Sequence, residues 1–225
     1  MNNSGMYLII SAKKRRKHIV AVETNPAANE QDFKCDRDEK GLLLLDLSLL
    51  EDGIVAQGLL LSGEDLADII KESYCRKAKS RAIWYLSSAD HSKKGLKRKL
   101  MRYFPEYAAE SAINRMEELG YIDDEKFAKS ACEIYAAKGM SDSAIVSKLI
   151  SQGVDSALAK ECVAGSSNDP AQQIELIINK HYARKLQNPE NLPKVVAALA
   201  RRGFKFSDIK SVLKNYTETE IDEEC

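Results

Sequence analysis

Several signals that would mark an enzyme or an exported protein are missing from this sequence. It has no Gly-x-x-x-x-Gly-Lys-Ser/Thr loop for phosphates, no His-Glu-x-x-His and no Gly-x-Ser-x-Gly elbow. The three histidines, His18, His91 and His181, are far apart in sequence, and no Cys-x-x-Cys pair exists among Cys35, Cys75, Cys132, Cys162 and Cys225. That pattern fits reduced thiols and gives no metal, cofactor or catalytic constellation. The start, Met-Asn-Asn-Ser-Gly-Met-Tyr-Leu-Ile-Ile, lacks a basic opening, and its apolar run is too short for a signal peptide or a membrane span. The expectation is a cytoplasmic, non-enzymatic protein that needs no cofactor.

Charge is absent in sum but not in place. Lys plus Arg and Asp plus Glu each number 34. Yet Lys71 to Arg102 holds eleven bases and two acids, and Tyr103 to Ala137 holds three bases and eight acids. Such segregation predicts a local basic surface within a neutral chain.

At 225 residues the chain can hold one small domain and an array of helices. Met6 to Ile10 and His18 to Val22 are short β-rich runs flanking Lys13-Lys14-Arg15-Arg16-Lys17, which reads as a hairpin with a basic tip. Asn25 to Lys40 reads as a loop, Leu42 to Leu50 as either a strand or a buried helical segment, and Gly53 to Leu61 as a last strand. Ser62-Gly-Glu-Asp then starts a helix carrying Leu66, Ile69 and Ile70. Residues 1–62 are therefore expected to form a small β-rich domain.

Helical grammar follows and repeats. Tyr74, Ala78, Ala82, Tyr85 and Leu86 make one stripe, Ser92 caps a helix with Leu96 and Leu100, and Pro105 opens another that ends at Gly120. The trio Ser92, Leu96, Leu100 returns as Ser141, Ile145, Leu149 and again as Asn191, Val195, Leu199, a period of 49 to 50 residues. Gly153 and Gly203 follow the second and third trios, Asp169-Pro170 opens the third unit, and Ser207 is expected to cap the last helix. The fold class expected is mostly α, with three tandem three-helix repeats in an elongated curved array after the β-rich domain. The boundaries are 63–124 for a leading helix and repeat one, 125–169 for repeat two and 170–216 for repeat three. Residues 217–225 form an acidic tail expected to be disordered.

One joint anchors this reading. In Glu117 to Phe127, Gly120 stops one helix and Asp123 caps the next, with Ile122 and Phe127 spaced to clamp its entry as a rigid corner. Asp123, Asp124 and Glu125 are read as cap and dipole partners, since no histidine or cysteine pair with ligand spacing lies nearby.

The stretch Gly120-Tyr-Ile-Asp-Asp-Glu-Lys-Phe-Ala128, with Ala137-Lys138-Gly139 and Lys148-Leu149 to Gly153-Val154, resembles the RecX family of regulators of the bacterial recombinase RecA. The resemblance covers about residues 71–216. It implies three three-helix repeats, no catalytic centre, and binding along the groove of the RecA–DNA filament that dampens ATP hydrolysis, strand exchange and repressor cleavage. The first repeat departs from the pattern at Met101 to Pro105, which replaces a glycine joint, and the third lacks the Gly-Tyr-Ile-Asp-Asp corner.

The residues expected to face a filament or DNA are Arg76, Lys77, Lys93, Lys94, Lys97, Arg98 and Arg102 in the first repeat, with Arg201, Arg202 and Lys205 in the third. Tyr103 and Phe104, beside Arg102, are weighed as residues on which a base stacks and are read instead as core contacts at a helix end. The partners expected are the RecA filament and, through it, single- or double-stranded DNA, with no membrane and a monomeric state. A stand-alone DNA-binding protein built from helix-turn-helix-like units is the alternative.

Overall fold

The structure, a computed structural model, describes residues 5–29, 31, 33–164 and 169–218. Residues 1–90 and 96–122 form one compact unit, and residues 91–95 and 123–225 form another.

The first unit starts with alternation. In β1 (Met6–Arg16) Tyr7 and Ile9 are buried while Met6, Leu8 and Ile10 face out, the two-residue period of a half-covered strand. β1 pairs antiparallel with β2 (Ile19–Asn25) and β4 (Leu60–Ser62), and β2 with β3 (Leu43–Asp46), giving the order β3-β2-β1-β4. The basic run is not the hairpin tip. Lys13 and Lys14 pair with Ala21 and Val20, and the turn is Lys17-His18. Ladder bonds use backbone groups, so charged side chains turned to solvent do not end the pairing. Leu42 to Leu50 resolves into both alternatives, β3 followed by α1 (Ser48–Glu51). Only the end of Gly53 to Leu61 is strand, because Gly53 and Gly58 take left-handed φ of 72° and 87°.

Ser62 ends the sheet and caps α2 (Gly63–Leu86) through a capping box. The Asp65 amide donates to Ser62 Oγ at 3.0 Å, and the Ser62 amide donates to Asp65 Oδ2 at 3.2 Å. This one helix serves two cores. Leu66 and Ile70 pack with the sheet residues Val20 and Leu45 and with Leu49 of α1, and Ala78 and Ala82 pack with α3 (Lys93–Leu100) and α4 (Glu106–Glu118). Ala78, Ala82, Ala108, Ala109 and Ala112 are fully buried, and such small side chains allow close helix approach. Gly120, at φ 71°, closes α4, and the Tyr121 amide donates to the Met116 carbonyl at 2.8 Å.

The second unit holds α5 (Asp124–Ala137), α6 (Asp142–Gln152) and α7 (Ser156–Ala164) around Ala128, Ile145, Leu149 and Ala159. It also holds α8 (Pro170–His181), α9 (Ala183–Leu186), a 3-10 turn (Pro189–Asn191), α10 (Leu192–Arg201) and α11 (Phe206–Glu218) around Ile174, Ile178, Val195 and Leu199. The chain is thus mostly helical, an N-terminal antiparallel sheet followed by three three-helix groups. The repeat is physical as well as textual. Leu96, Ile145 and Val195, and likewise Leu100, Leu149 and Leu199, are each at most 1% exposed. Burying each such side chain contributes about 1.5–3 kcal/mol.

Three local expectations change. Ile122 packs in the α2–α4 core and Phe127 in the α5–α7 core, so each side chain serves its own unit. Asn191 does not cap α10 with its side chain, because α9 and the 3-10 turn draw its Nδ2 to the Lys185 carbonyl at 3.2 Å. Ser207 lies inside α11, and its hydroxyl donates to Asp208 Oδ1 at 3.0 Å. The acidic segment 219–225, with the side chains of residues 217 and 218, lies outside the described residues.

Candidate functional site

The basic residues of the first unit divide by what holds them. Arg76 donates to Glu72 at 2.8 Å, to Ser48 Oγ at 2.9 Å and to Asp52, which fixes it against α1. Lys77 is more enclosed, with its side chain 11% exposed and its ammonium bonded to the Leu44 carbonyl at 2.7 Å and to Asp36 at 3.2 Å. Both tie α2 to the segment around β3. Lys97 bridges Glu106 and Glu110 on α4 at 2.9 and 2.7 Å, and these carboxylates, Glu110 first, raise its pKa. Arg98 and Arg102 are exposed.

The remaining expected residues lie in the second unit. Lys94 is exposed and Lys93 half-buried, and the Lys93 amide donates to Asp124 Oδ1 at 2.7 Å. Asp124 therefore helps to cap α3, while Asp123 caps α5 by accepting the Lys126 amide at 2.9 Å. Asp123 and Asp124 of the joint are accounted for by helix ends. Arg201 and Lys205 are exposed. Arg202 is half-buried, donating to the Tyr182 hydroxyl at 2.8 Å with its guanidinium 5.7 Å from that ring.

One cluster was not singled out in the sequence. The Arg81 guanidinium sits 5.4 Å from the Trp84 ring, 6.0 Å from Tyr85 and 5.0 Å from Tyr103, and Lys99 sits 5.1 Å from Tyr85. Trp84 and Tyr103 are each 58% exposed. Phe104 packs into the core as expected, but Tyr103 does not, because Arg81 holds it at the surface. The spacing Arg81, Trp84, Tyr85 on one helix was the available signal.

Among the described residues no group of three His, Cys, Asp or Glu side chains is placed to hold a metal ion. His18 and His181 are exposed and His91 half-buried. Cys35, Cys75, Cys132 and Cys162 are free thiols, and burial raises the pKa of Cys35, Cys132 and Cys162. None of the described helices is long and apolar enough to cross a membrane.

A sheet followed by tandem three-helix groups defines the class of helical-repeat proteins. Comparison with known proteins is consistent with that class. The family model described as RecX, first three-helix domain, matches residues 78–116. A protein named regulatory protein RecX from Xanthomonas axonopodis pv. citri is 30% identical over 138 residues, covering 60% of this chain and 84% of the relative. One of the same name from Bacillus velezensis is 26% identical over 205 residues, covering 88% and 76%. A crystal structure of a regulatory protein RecX shares the fold with TM-score 0.57 at 18% identity, covering 92% of this chain and 99% of that one. RecX from Lactobacillus salivarius gives TM-score 0.51 at 20% identity, covering 64% and 97%. The chain belongs to the RecX family.

Proposed function

We propose that this protein is a non-enzymatic cytoplasmic regulator of the RecA recombinase, acting mainly as an inhibitor. It binds as a monomer along the groove of the RecA–DNA filament and dampens ATPase, strand exchange and coprotease activity. The observation that carries this reading is membership of a family whose members are named regulatory proteins, together with three matching helical groups. Within it, Lys93, Lys94, Arg98, Arg102, Arg201 and Lys205 meet phosphates or acidic filament loops. Arg76, Lys77 and Lys97 in the first unit and Arg202 in the second contribute from their anchored positions. Phosphate contacts of this kind weaken as salt rises, in proportion to the number of charges neutralised.

The test is RecA's single-stranded-DNA-dependent ATPase with substoichiometric amounts of this protein, using RecA from the same source. Loss of activity well below one-to-one supports the reading, and no effect up to equimolar contradicts it.

A second reading, DNA binding by the chain alone, draws on the exposed Trp84 and Tyr103 around Arg81, an arrangement on which unpaired bases stack. Trp84 is the only tryptophan, so its fluorescence reports directly on this. Quenching by a bare oligonucleotide at moderate salt, without RecA, favours the second reading.

A further inference from the structure

A groove of about 260 Å³ opens in the second unit between the C-terminal turn of α5 and one face of α8. Met140, Ile177 and Phe204 supply its apolar lining, and Leu176 borders it at 71% exposure, the most exposed of the large hydrophobic residues among those described. Lys138, Lys180, His181 and Arg202 surround this apolar strip, and among the described residues no Asp or Glu lines the groove. Such a surface suits a segment with the opposite pattern, an apolar side chain set among carboxylates.

The chain carries such a segment. Residues 219–225 read Thr-Glu-Ile-Asp-Glu-Glu-Cys, with Ile221 as the aliphatic residue among Glu220, Asp222, Glu223 and Glu224. α11 delivers it to the right place. The Tyr216 hydroxyl donates to Asn179 Oδ1 at 2.9 Å, so the end of α11 lies beside the last turn of α8, one residue from Lys180. Seven extended residues reach at most about 25 Å. Leu176 lies about 6 Å along α8 from Lys180, at 1.5 Å per residue. The reach covers the near half of the groove even after passing around the helix.

We infer that this groove is the docking site of the chain's own acidic segment 219–225, with Ile221 against Leu176 and Ile177 and the carboxylates facing Lys138, Lys180, His181 and Arg202. The segment then acts as an internal competitor, and any partner that uses Lys138, Lys180 or Arg202 has to displace it. This goes beyond the proposed function and does not rest on it, because it needs neither RecA nor DNA.

The experiment is fluorescence anisotropy of a labelled peptide of residues 217–225 at low salt, added to the full chain and to the full chain carrying I221S, E223K and E224K. The variant, its own segment disabled, binds the peptide at least ten-fold more tightly than the unaltered chain. Adding K180E or L176D to the variant abolishes that binding, as does I221S in the peptide. Equal binding to both chains, or binding indifferent to K180E and L176D, overturns the inference. Sedimentation separates the remaining source: a dimer of the unaltered chain that the triple variant dissolves places the segment in a second copy and overturns docking within one chain. Circular dichroism of each variant checks the fold, and neither Leu176 nor Lys180 is in a core cluster.

Discussion

The hydroxyl of Ser141 donates to the carbonyl oxygen of Gly203 across 2.7 Å, although 62 residues separate them. The same hydroxyl accepts the Ala144 amide at 3.3 Å, and the Ser141 amide donates to the Arg202 carbonyl at 2.9 Å. One residue thus starts α6 and fastens it to the turn after α10. Ser92 does the equivalent one period earlier, accepting the Gly95 amide at 3.0 Å and donating to the Gln152 carbonyl at 2.6 Å. The cap of one repeat's middle helix bonds the end of the next repeat's middle helix.

This fastening requires glycine at position 203. Its φ is 88°, and a Cβ there would lie 2.5 Å from Ala144 Cβ and 2.7 Å from Ser141 Oγ. Gly203→Ala is expected to combine left-handed strain of about 1–2 kcal/mol with overpacking of about 1–3 kcal/mol. Gly120→Ala, at φ 71° with nothing within 4 Å of the added carbon, incurs the strain alone. Urea denaturation checks the pair, and equal losses would show that the Ser141–Gly203 contact yields without cost.

Ser141→Ala is expected to cost about 1–2 kcal/mol, since a cap and a part-buried hydrogen bond go together. Ser207→Ala, which read as the same kind of residue in the sequence, is expected to change stability by less than about 0.5 kcal/mol because its hydroxyl caps nothing. Thermal melts of the two variants decide between the sequence reading and the structural one.

The contrast shows what was legible. Leu96, Ile145 and Val195, and the glycines after α6 and α10, announced the repeat because helix periodicity and chain reversal are local properties. Anchored and exposed cations could not be told apart. Asp52 and Asp36, which hold Arg76 and Lys77, lie 24 and 41 residues away and meet them only after the sheet has packed on α2. Tyr103 was misread for a related reason, since it lies in the turn after α3 and its partner Arg81 lies on α2.

Arg76 and Lys77 are accordingly expected to matter for stability. Lys77→Ala removes a nearly enclosed ammonium from a carbonyl and a carboxylate and is expected to cost about 1–2 kcal/mol. Lys94→Ala and Arg102→Ala, at exposed positions, are expected to stay within about 0.5 kcal/mol of the parent. Chemical denaturation of the three single variants measures the division.

Tyr74 gives a pH signature for the packing of α2 on the first unit. Burial first, then the nearby Asp36 and Cys35, pushes its phenol up from 10.0 to about 12. A raised folded-state pKa means that its contribution is fully present below the unfolded value and is lost as pH climbs from about 10 through 12. Tyr74→Phe is expected to flatten the stability profile in that window. In an absorbance titration it should remove a late-ionising tyrosine, and loss of an early one instead would contradict the assignment.

The most direct test of the central account is RecA's DNA-dependent ATPase with the parent protein and with K94E/R98E/R102E, titrated from well below one-to-one. The account predicts that the parent inhibits at substoichiometric levels, and that the triple variant, folded by circular dichroism, loses at least ten-fold in potency with a shallower salt dependence. Equal inhibition by the two proteins would contradict the proposed cationic surface, and no inhibition by either would contradict the regulator itself.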